Sequence, residues 1–504
     1  MGNSYTPAVT ADSRVFLIEG RARGDHAPSY ESCLRMTALS QAFGDVERIE
    51  CPDPYQYGKF VEVGSVRGAT ERATTSLEGR YARDLISDLL KLARKNCAVD
   101  VQLHLGSCTD PSDFDTFTKA LILEQAYLTN FGTEDLGTLD SSGNAVVNET
   151  ADISAKEVYE VVPISFGVKA GSIVANEVVD AVLCDSASCG DCEEESDGCQ
   201  KIYAVTVAAG GSPATSPDIL FTPDKGITWY SHDVETITGG AAASGVECVG
   251  AYVVVISNTD VSLHYALKSE FDDLLDPDFT EVTTGFVAGG GPNAIYAIGN
   301  KVFIVGDGGY IYSSEDITAG VDVLDAGVST SSALNDVHAF SEEMVVAVGN
   351  NGVVLYSENG TSFAVTPTAP VGFGVNLNCV FVKSTKEWWV GASNGRLFYT
   401  LDGGDSWTEK AFPGSGAGVV YDIEFATDSV AYLAHATAAP VGRIFRSYDG
   451  GYSWKATPER TGATLPDNDR VNVLVTCPED VNFVAGFGLA GDGTDGYVVV
   501  GSAS

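Results

Sequence analysis

Basic side chains are scarce in this 504-residue chain: 29 lysines and arginines stand against 69 aspartates and glutamates, a formal net charge of −40. The deficit is uneven, with a balance of −9 up to Gly171 and −31 beyond it. So negative a surface repels phosphate, which counts against direct nucleic-acid binding by the second part. It also keeps a crowded or exposed surface soluble. Long apolar runs are missing too, none approaching the roughly eighteen residues of a membrane helix. The first twenty residues lack the basic start, apolar core and cleavage site of an export signal. A soluble protein with no membrane partner is expected. "MGNSYT" fits a myristoylation pattern, but no basic cluster supplies the second membrane signal, and the match is read as coincidence.

Chemistry-bearing motifs are equally thin. No P-loop, HExxH, GxSxG or dinucleotide-binding fingerprint occurs. The six histidines, His26, His104, His232, His264, His338 and His435, have no metal-ligand spacing. Acidic pairs are too common at this composition for any one to stand out as a general acid and base. No catalytic residue, metal or cofactor is expected.

What is present is glycine, 55 residues, within a 44% apolar composition that reads as globular and turn-rich. The length suits two or three domains. "TPDKGITW" at Thr222, "TLDGGDSW" at Thr400 and "SYDGGYSW" at Ser447 repeat one acidic turn. With the opening hydroxyl residue as a mark, weaker copies fall at Ser269, Ser313 and Ser357, giving spacings of 47, 44, 44, 43 and 47 residues. Each unit holds four short alternating runs, as in "LNDVHAF", "EMVVAVGN", "GVVLYS" and "SFAVTPT". A period of roughly 40–50 residues of β pattern signals propeller blades. A seventh unit begins at "VNVLVT" and ends one strand short at "YVVVGS". The run "SIVANEVVDAVLC" is taken as the closing strand, so that 171–200 forms a linker with that strand and 201–504 a seven-bladed propeller.

The octet resembles the Asp-box of sialidases, sortilin-type receptors and photosystem II assembly factors. In physical terms, Asp224, Asp402 and Asp449 accept backbone N–H bonds inside the hairpin, and Gly226, Gly404 and Gly451 take angles closed to other residues. Trp229, Trp407 and Trp454 then bury between neighbouring blades. The octet is thus a structural staple. A sialidase needs an arginine triad, yet this region holds only Arg396, Arg443, Arg446, Arg460 and Arg470, all in the last three units, and no hydrolase is expected. Trp388, Trp389 and Tyr452 are candidates to stack on sugar rings.

Four cysteines crowd the linker "CDSASCGDCEEESDGC": Cys184, Cys189, Cys192 and Cys199. Their spacing allows a zinc knuckle, two disulfides closing the acidic loop, or free thiols. Disulfides are preferred, because a loop without its own core gains from cross-linking outside a reducing cell. The remaining cysteines are read as small buried residues.

Residues 1–170 do not share the repeat. Strand-like runs occur at "RVFLIEGRA", "VERIECP", "KFVEVGSVRG", "VDVQLHLG", "KALILEQAYLTNF" and "EVYEVVPISFG". A helix is expected at "ARDLISDLLKLARKN" and a shorter one after the Asp-Pro of "CTDPSDFDTF". The fold class is mainly β: a sandwich or open barrel with one packed helix, followed by the propeller. Between the third run and the helix lies the polar segment "GSVRGATERATTSLEGRYAR", carrying Arg67, Arg72 and Arg80. It reads as a solvated hairpin or as an arm reaching a neighbouring subunit. Strand order, the arm "ATTSLEG", the single helix and the return strands are similar to a tail tube protein of long-tailed bacteriophages. That resemblance implies hexameric rings stacked into a tube with other tail proteins, a lumen through which DNA passes without specific binding, and a location in the virion tail after assembly in the host cytoplasm. The acidic propeller then becomes a decoration, with host-surface glycans as a further partner. The alternative is a glycan- or receptor-binding propeller on a β-rich adaptor.

Overall fold

A computed structural model of the chain describes residues 14–19, 29–42, 47–52, 60–66, 73–80, 99–106, 117–139, 145–168, 176–184, 199–207, 216–238, 240–272, 276–372, 374–436, 442–457, 470–489 and 496–503. It divides into two units, Met1–Pro163 and Ile164–Ser504.

The first unit contains β1 (Arg14–Glu19), β2 (Ser29–Ala42), β3 (Glu47–Pro52), β4 (Phe60–Val66), β5 (Ala73–Arg80), β6 (Val99–Gly106), β7 (Phe117–Leu139), β8 (Ala145–Ala155) and β9 (Glu157–Val161). Antiparallel pairing runs β6-β1-β2-β5-β8-β7 and returns from β7 to β6, so six strands close on themselves. The length of β7, 23 residues, makes closure possible. Its first part pairs with β6 on one side and β9 on the other, and its second part pairs with β8. Val101, Leu103, Leu121, Leu123 and Ile153 are buried along these strands. Strands β3 and β4 form a separate hairpin.

This closed ring replaces the expected sandwich or open barrel. The expected arm is corrected as well: "ATTSLEG" is β5, paired on both sides, with Arg80 opposite Arg35 and Asn148. Its threonines favour a strand, and ladder bonds are made by the backbone, so polar side chains alone did not distinguish a strand from an arm. Strands β2 and β8 were not anticipated. Arg67, Arg72 and both expected helices lie outside the described residues.

In the second unit seven four-stranded antiparallel sheets follow one another. Their innermost strands are Val178–Cys184, Ala243–Val249, Pro292–Ile298, Leu334–Ala339, Leu377–Val382, Val419–Phe425 and Arg470–Thr476. Each lies beside the next, and the seventh lies beside the first. The unit is a closed seven-bladed β-propeller. Apolar layers fill the spaces between blades, such as Tyr203, Phe221 and Phe271 between blades 1 and 2, or Trp389, Phe425 and Phe445 between blades 5 and 6.

The closing strand differs from the expected one. It is β10 (Ile164–Val168), which pairs with Gly496–Ala503 as the outermost strand of blade 7. The run "SIVANEVVDAVLC" instead supplies the innermost strand of blade 1, paired with Lys201–Thr206. The repeat itself requires this, because two strands must precede the octet-bearing third one. The propeller therefore starts at Ile164, and "EVYEVVPISFG" is two strands in two units. The buried Arg446 guanidinium donates from Nη1 to the Ile164 carbonyl at 3.2 Å, fixing the borrowed strand from blade 6. Two register marks also shift. Ser314, not Ser313, ends the third strand of blade 3, and Ser269 falls in the short helix Lys268–Asp272 that replaces the turn of blade 2.

The two described linker cysteines do not pair with each other. Cys184 bonds Cys248, tying blade 1 to blade 2, and Cys199 bonds Cys477, tying blade 1 to blade 7. Cys189 and Cys192 lie outside the described residues. Proximity in sequence misled here, because the ring brings distant segments against blade 1. The blade 7–blade 1 seam also carries an Arg470–Glu177 ion pair and a Lys225–Asp480 pair at 3.4 Å. Reduction with dithiothreitol is expected to cost about 2–5 kcal/mol of propeller stability. Calorimetry of reduced and oxidised chain checks this, and the double variant Cys199→Ser/Cys477→Ser should reproduce most of the loss.

Candidate functional site

The octets form three superimposable turns. In each, the first hydroxyl donates to the aspartate and accepts from the glycine N–H: Thr222 to Asp224 at 2.9 Å, Thr400 to Asp402 at 2.7 Å and Ser447 to Asp449 at 2.7 Å. The same aspartates accept from the N–H and hydroxyl of Thr228, Ser406 and Ser453. These donors hold the carboxyls of Asp224 and Asp402 below the usual range, although burial acts first and in the opposite direction. The hydroxyl and carboxyl groups that open each turn are thus spent on the turn itself. Gly226, Gly404 and Gly451 have φ of +81°, +88° and +88°. Trp229 meets Phe487 of blade 7, Trp407 donates to the Thr368 carbonyl at 3.1 Å, and Trp454 packs among residues of blades 5 and 6.

The proposed sugar-stacking aromatics are core instead: Trp388, Trp389 and Tyr452 are buried. Consecutive tryptophans on a strand inside a blade have both faces covered by neighbouring blades, which the run alone did not reveal. The arginines stay dispersed: Arg396 pairs with Glu409 at 3.4 Å, Arg446 holds β10 and Arg470 holds the seam. Arg460 and the side chain of Arg443 lie outside the described residues. Among the described residues no group of three His, Cys, Asp or Glu is arranged around a metal position. No helix among them is long and apolar enough to cross a membrane.

A second polar system lies on the lumen. Every innermost strand has a register shift near its start, leaving one residue outside the ladder: Val179, Ser244, Asn293, Asn335, Asn378, Tyr421 and Asn472. Such a bulge re-aims a side chain. Five of the seven donate to a backbone carbonyl of the next blade: Ser244 to Pro292 (2.6 Å), Asn293 to Leu334 (2.8 Å), Asn335 to Leu377 (2.7 Å), Asn378 to Val420 (2.9 Å) and Asn472 to Val178 (2.8 Å).

Carboxylates complete the set. Asp180, Glu247, Asp336 and Asp422 each accept the N–H of the following residue and an N–H of the next blade, from Val246, Ala297, Val380 and Leu474 at 2.7–3.1 Å. All seven junctions thus carry at least one side-chain clasp. Sequence reasoning missed it, although Asn at 293, 335 and 378, at nearly the blade period, was a visible signal. Burial pushes Asp180 up to about 8 and Glu247 up to about 7, and raises Asp336 and Asp422, outweighing the backbone donors.

These side chains line a central cavity of about 220 Å³ to which all seven blades contribute. Past the ends of the innermost strands lies a wider mouth of about 550 Å³. Its wall is a ladder of rings from successive blades: Tyr296 to His338 (4.3 Å between centroids), His338 to Phe381 (4.3 Å) and Phe381 to Phe425 (5.0 Å). Burial lowers His338 to about 3, so it is neutral, and its Nδ1 accepts the Val382 N–H at 3.3 Å. Glu424 faces both cavities.

Fold and lumen together define a β-propeller whose polar interior is built to hold blades together. Solved structures similar to it are propellers. YCF48 bound to D1 peptide has 14% identity over 68% of this chain and 96% of that one, with a TM-score of 0.49. YCF48 from Cyanidioschyzon merolae has 15% identity over 67% and 98%, with a TM-score of 0.48. The WD40 β-propeller domain of Doa1 has 12% over 68% and 97%, with a TM-score of 0.45. No family model matches the chain, and no curated protein does.

Two outcomes follow from this geometry. A Cβ on Gly451 would lie 2.7 Å from the Trp389 ring, whereas one on Gly416, also at positive φ, meets nothing within 4 Å. Gly451→Ala is expected to cost about 2–4 kcal/mol and Gly416→Ala about 1 kcal/mol, read by urea unfolding. The second concerns pH. Asp180 and Glu247 hold protons in the folded chain that the unfolded chain, titrating near 4, has already released. Their contribution is complete below about pH 4 and is lost as pH rises through 7 and 8. His264 and His338, lowered by burial to about 4 and 3, act oppositely but only below about pH 6.5. The melting temperature should therefore fall between about pH 6.5 and 8.5. Glu424→Gln, which removes the carboxyl raised by burial and by Asp422, Asp336, Asp180 and Glu247, should make that fall shallower. A flat or rising profile would refute the assignment.

Proposed function

We propose that this chain is a structural virion protein of a long-tailed bacteriophage. Its first unit self-assembles into hexameric rings stacked as a tail tube for DNA passage, and its Asp-box propeller decorates the outside. The observation that carries this reading is the connection between the units. Only Val162 and Pro163 separate β9 from β10, the strand without which blade 7 has an open edge. The strand that completes blade 7 thus follows the first unit in sequence after two residues, which suits a decoration carried by every subunit. Cross-blade disulfides suit a protein that works outside a reducing cell. A balance of −31 beyond Gly171 keeps densely arrayed copies soluble and apart.

A second reading, a glycan- or receptor-binding propeller on an adaptor, draws on the mouth cavity of about 550 Å³, a size suited to a small ligand. The two are compatible if the decoration also adheres.

The test is assembly. Purified full-length chain, concentrated and viewed by negative stain, is expected to form rings or tubes on the order of 100 Å across, a width set by the size of such domains. A strict monomer at every concentration, by light scattering, would sink the tube reading. A glycan array probed with the full chain tests the second, and uniform silence would remove its support.

A further inference from the structure

We propose that the wide mouth of the propeller lumen binds an organic cation, an ammonium or guanidinium group on an apolar stem, with the charge seated on Glu424. This rests on the propeller alone and stands whether or not the chain polymerises.

Glu424 differs from the other lumen carboxylates in one respect. Asp180, Glu247, Asp336 and Asp422 each have two backbone N–H donors. Glu424 makes no hydrogen bond among the described residues. Its position in blade 6, two residues after Asp422, matches that of His338 in blade 4, two residues after Asp336. His338 accepts from the adjoining blade, and Glu424 does not. A carboxyl that lines both cavities and is bonded to no described protein group has acceptor oxygens open to a donor from a ligand.

The charge of that donor follows from the surroundings. Glu247 and Asp422, raised only to about 7 and 6 and so ionised at pH 8, line the same narrow lumen as Glu424, where walls of low dielectric focus their field. An anion is repelled. A calcium or magnesium ion needs six or more oxygen ligands, and among the described residues no group of three His, Cys, Asp or Glu is arranged around a metal position. The lysine that lines the mouth is engaged elsewhere: Lys383 Nζ pairs with Glu387 at 3.2 Å, donates to the Asp428 carbonyl at 3.0 Å and lies 4.7 Å over the Phe425 ring.

The wall selects the rest of the ligand. The rings of Tyr296, His338 and Phe381 spend their faces on one another, so they offer apolar edges to a stem and no free π face to a charge. At the rim, Phe340 is 48% exposed beside Ile298 and Pro478. An alkyl chain laid there covers apolar surface that water now touches.

Binding carries a proton signature. Burial first, then Asp422, Asp336, Asp180 and Glu247, raise the Glu424 carboxyl well above its ordinary value. His338, Tyr296, Lys383 and Asp428 also line the site, and His338 stays neutral. A cation ionises Glu424 and releases its proton, so affinity weakens as pH falls.

The experiment is isothermal titration of the full-length chain at pH 8 with n-butylammonium and n-butylguanidinium chloride, against sodium chloride and n-butanol. Saturable binding of the organic cations alone is expected, weakening by about tenfold for each pH unit below the Glu424 ionisation. Glu424→Gln, shown folded by circular dichroism, should bind at least tenfold more weakly. Phe340→Ser, on the rim, should lose about threefold through the stem. A Gly-Lys-Gly tripeptide separates the sources: binding as tight as n-butylammonium assigns the site to a partner's lysine side chain, and exclusion assigns it to a free amine. Binding equal to that of sodium, equal binding of n-butanol, or an undiminished Glu424→Gln would each overturn the proposal.

Discussion

A propeller is a ring of sheets that share no ladder hydrogen bonds, so the space between blades has to be held by something other than the pairing that makes each blade. Here that element is the bulge near the start of every innermost strand. A bulge leaves one residue unpaired and turns its side chain out of the sheet. In five blades that residue is Ser or Asn and reaches the next blade's carbonyl, and in four a nearby carboxylate takes the next blade's N–H. The apolar layers between blades supply the bulk of the burial but little direction. The clasps supply direction, fixing which strand end faces which.

Closure is where such a ring is weakest, since one junction must form between residues far apart in sequence. The reinforcement is concentrated there. Blade 7 borrows β10 and its seam with blade 1 carries a disulfide, two ion pairs and an Asn472 clasp. Arg446 reaches the borrowed strand from blade 6, so three neighbouring parts depend on one another. Arg446 itself is fully buried, its Nη1 donating to the Ile164 carbonyl. The same residue type in the last units serves closure.

The blade count and the octet turns were legible in the sequence because both are local: a period near 44 residues, and eight residues whose hydroxyl–aspartate–glycine hydrogen bonds stay within the turn. The partner of the last blade was not legible, since strand pairing between Ile164–Val168 and Gly496–Ala503 leaves no periodic mark. The same holds for Cys184 and Cys199, whose partners Cys248 and Cys477 are neighbours only after the ring has closed. In the first unit, β5 was hidden by its composition: Thr, Ser and Glu in a strand paired on both sides look like a solvated arm. The lumen clasps fall between these cases. Asn293, Asn335 and Asn378 recur almost in step with the blades, but their meaning depends on a bulge, and a bulge is a property of two paired strands.

Acidic side chains lining a cavity invite a catalytic or metal-binding interpretation, and the distribution of donors decides against it for four of the five. A carboxylate that accepts one N–H from its own strand and one from the next blade is held in place by both, and moving it toward a ligand would open a blade junction. Function, if the lumen has one, must fall on the acidic group that the ring does not use. Glu424 stands at the one level where the blade-to-blade pattern continues in geometry and lapses in bonding: His338 is tied to Val382, and its counterpart in blade 6 is not. Retaining a carboxyl there raises its own ionisation, by burial first and then by the carboxyls beside it. An uncharged residue of similar size would avoid that cost, so the blade junctions supply no reason for a glutamate at this position, and a positively charged occupant does.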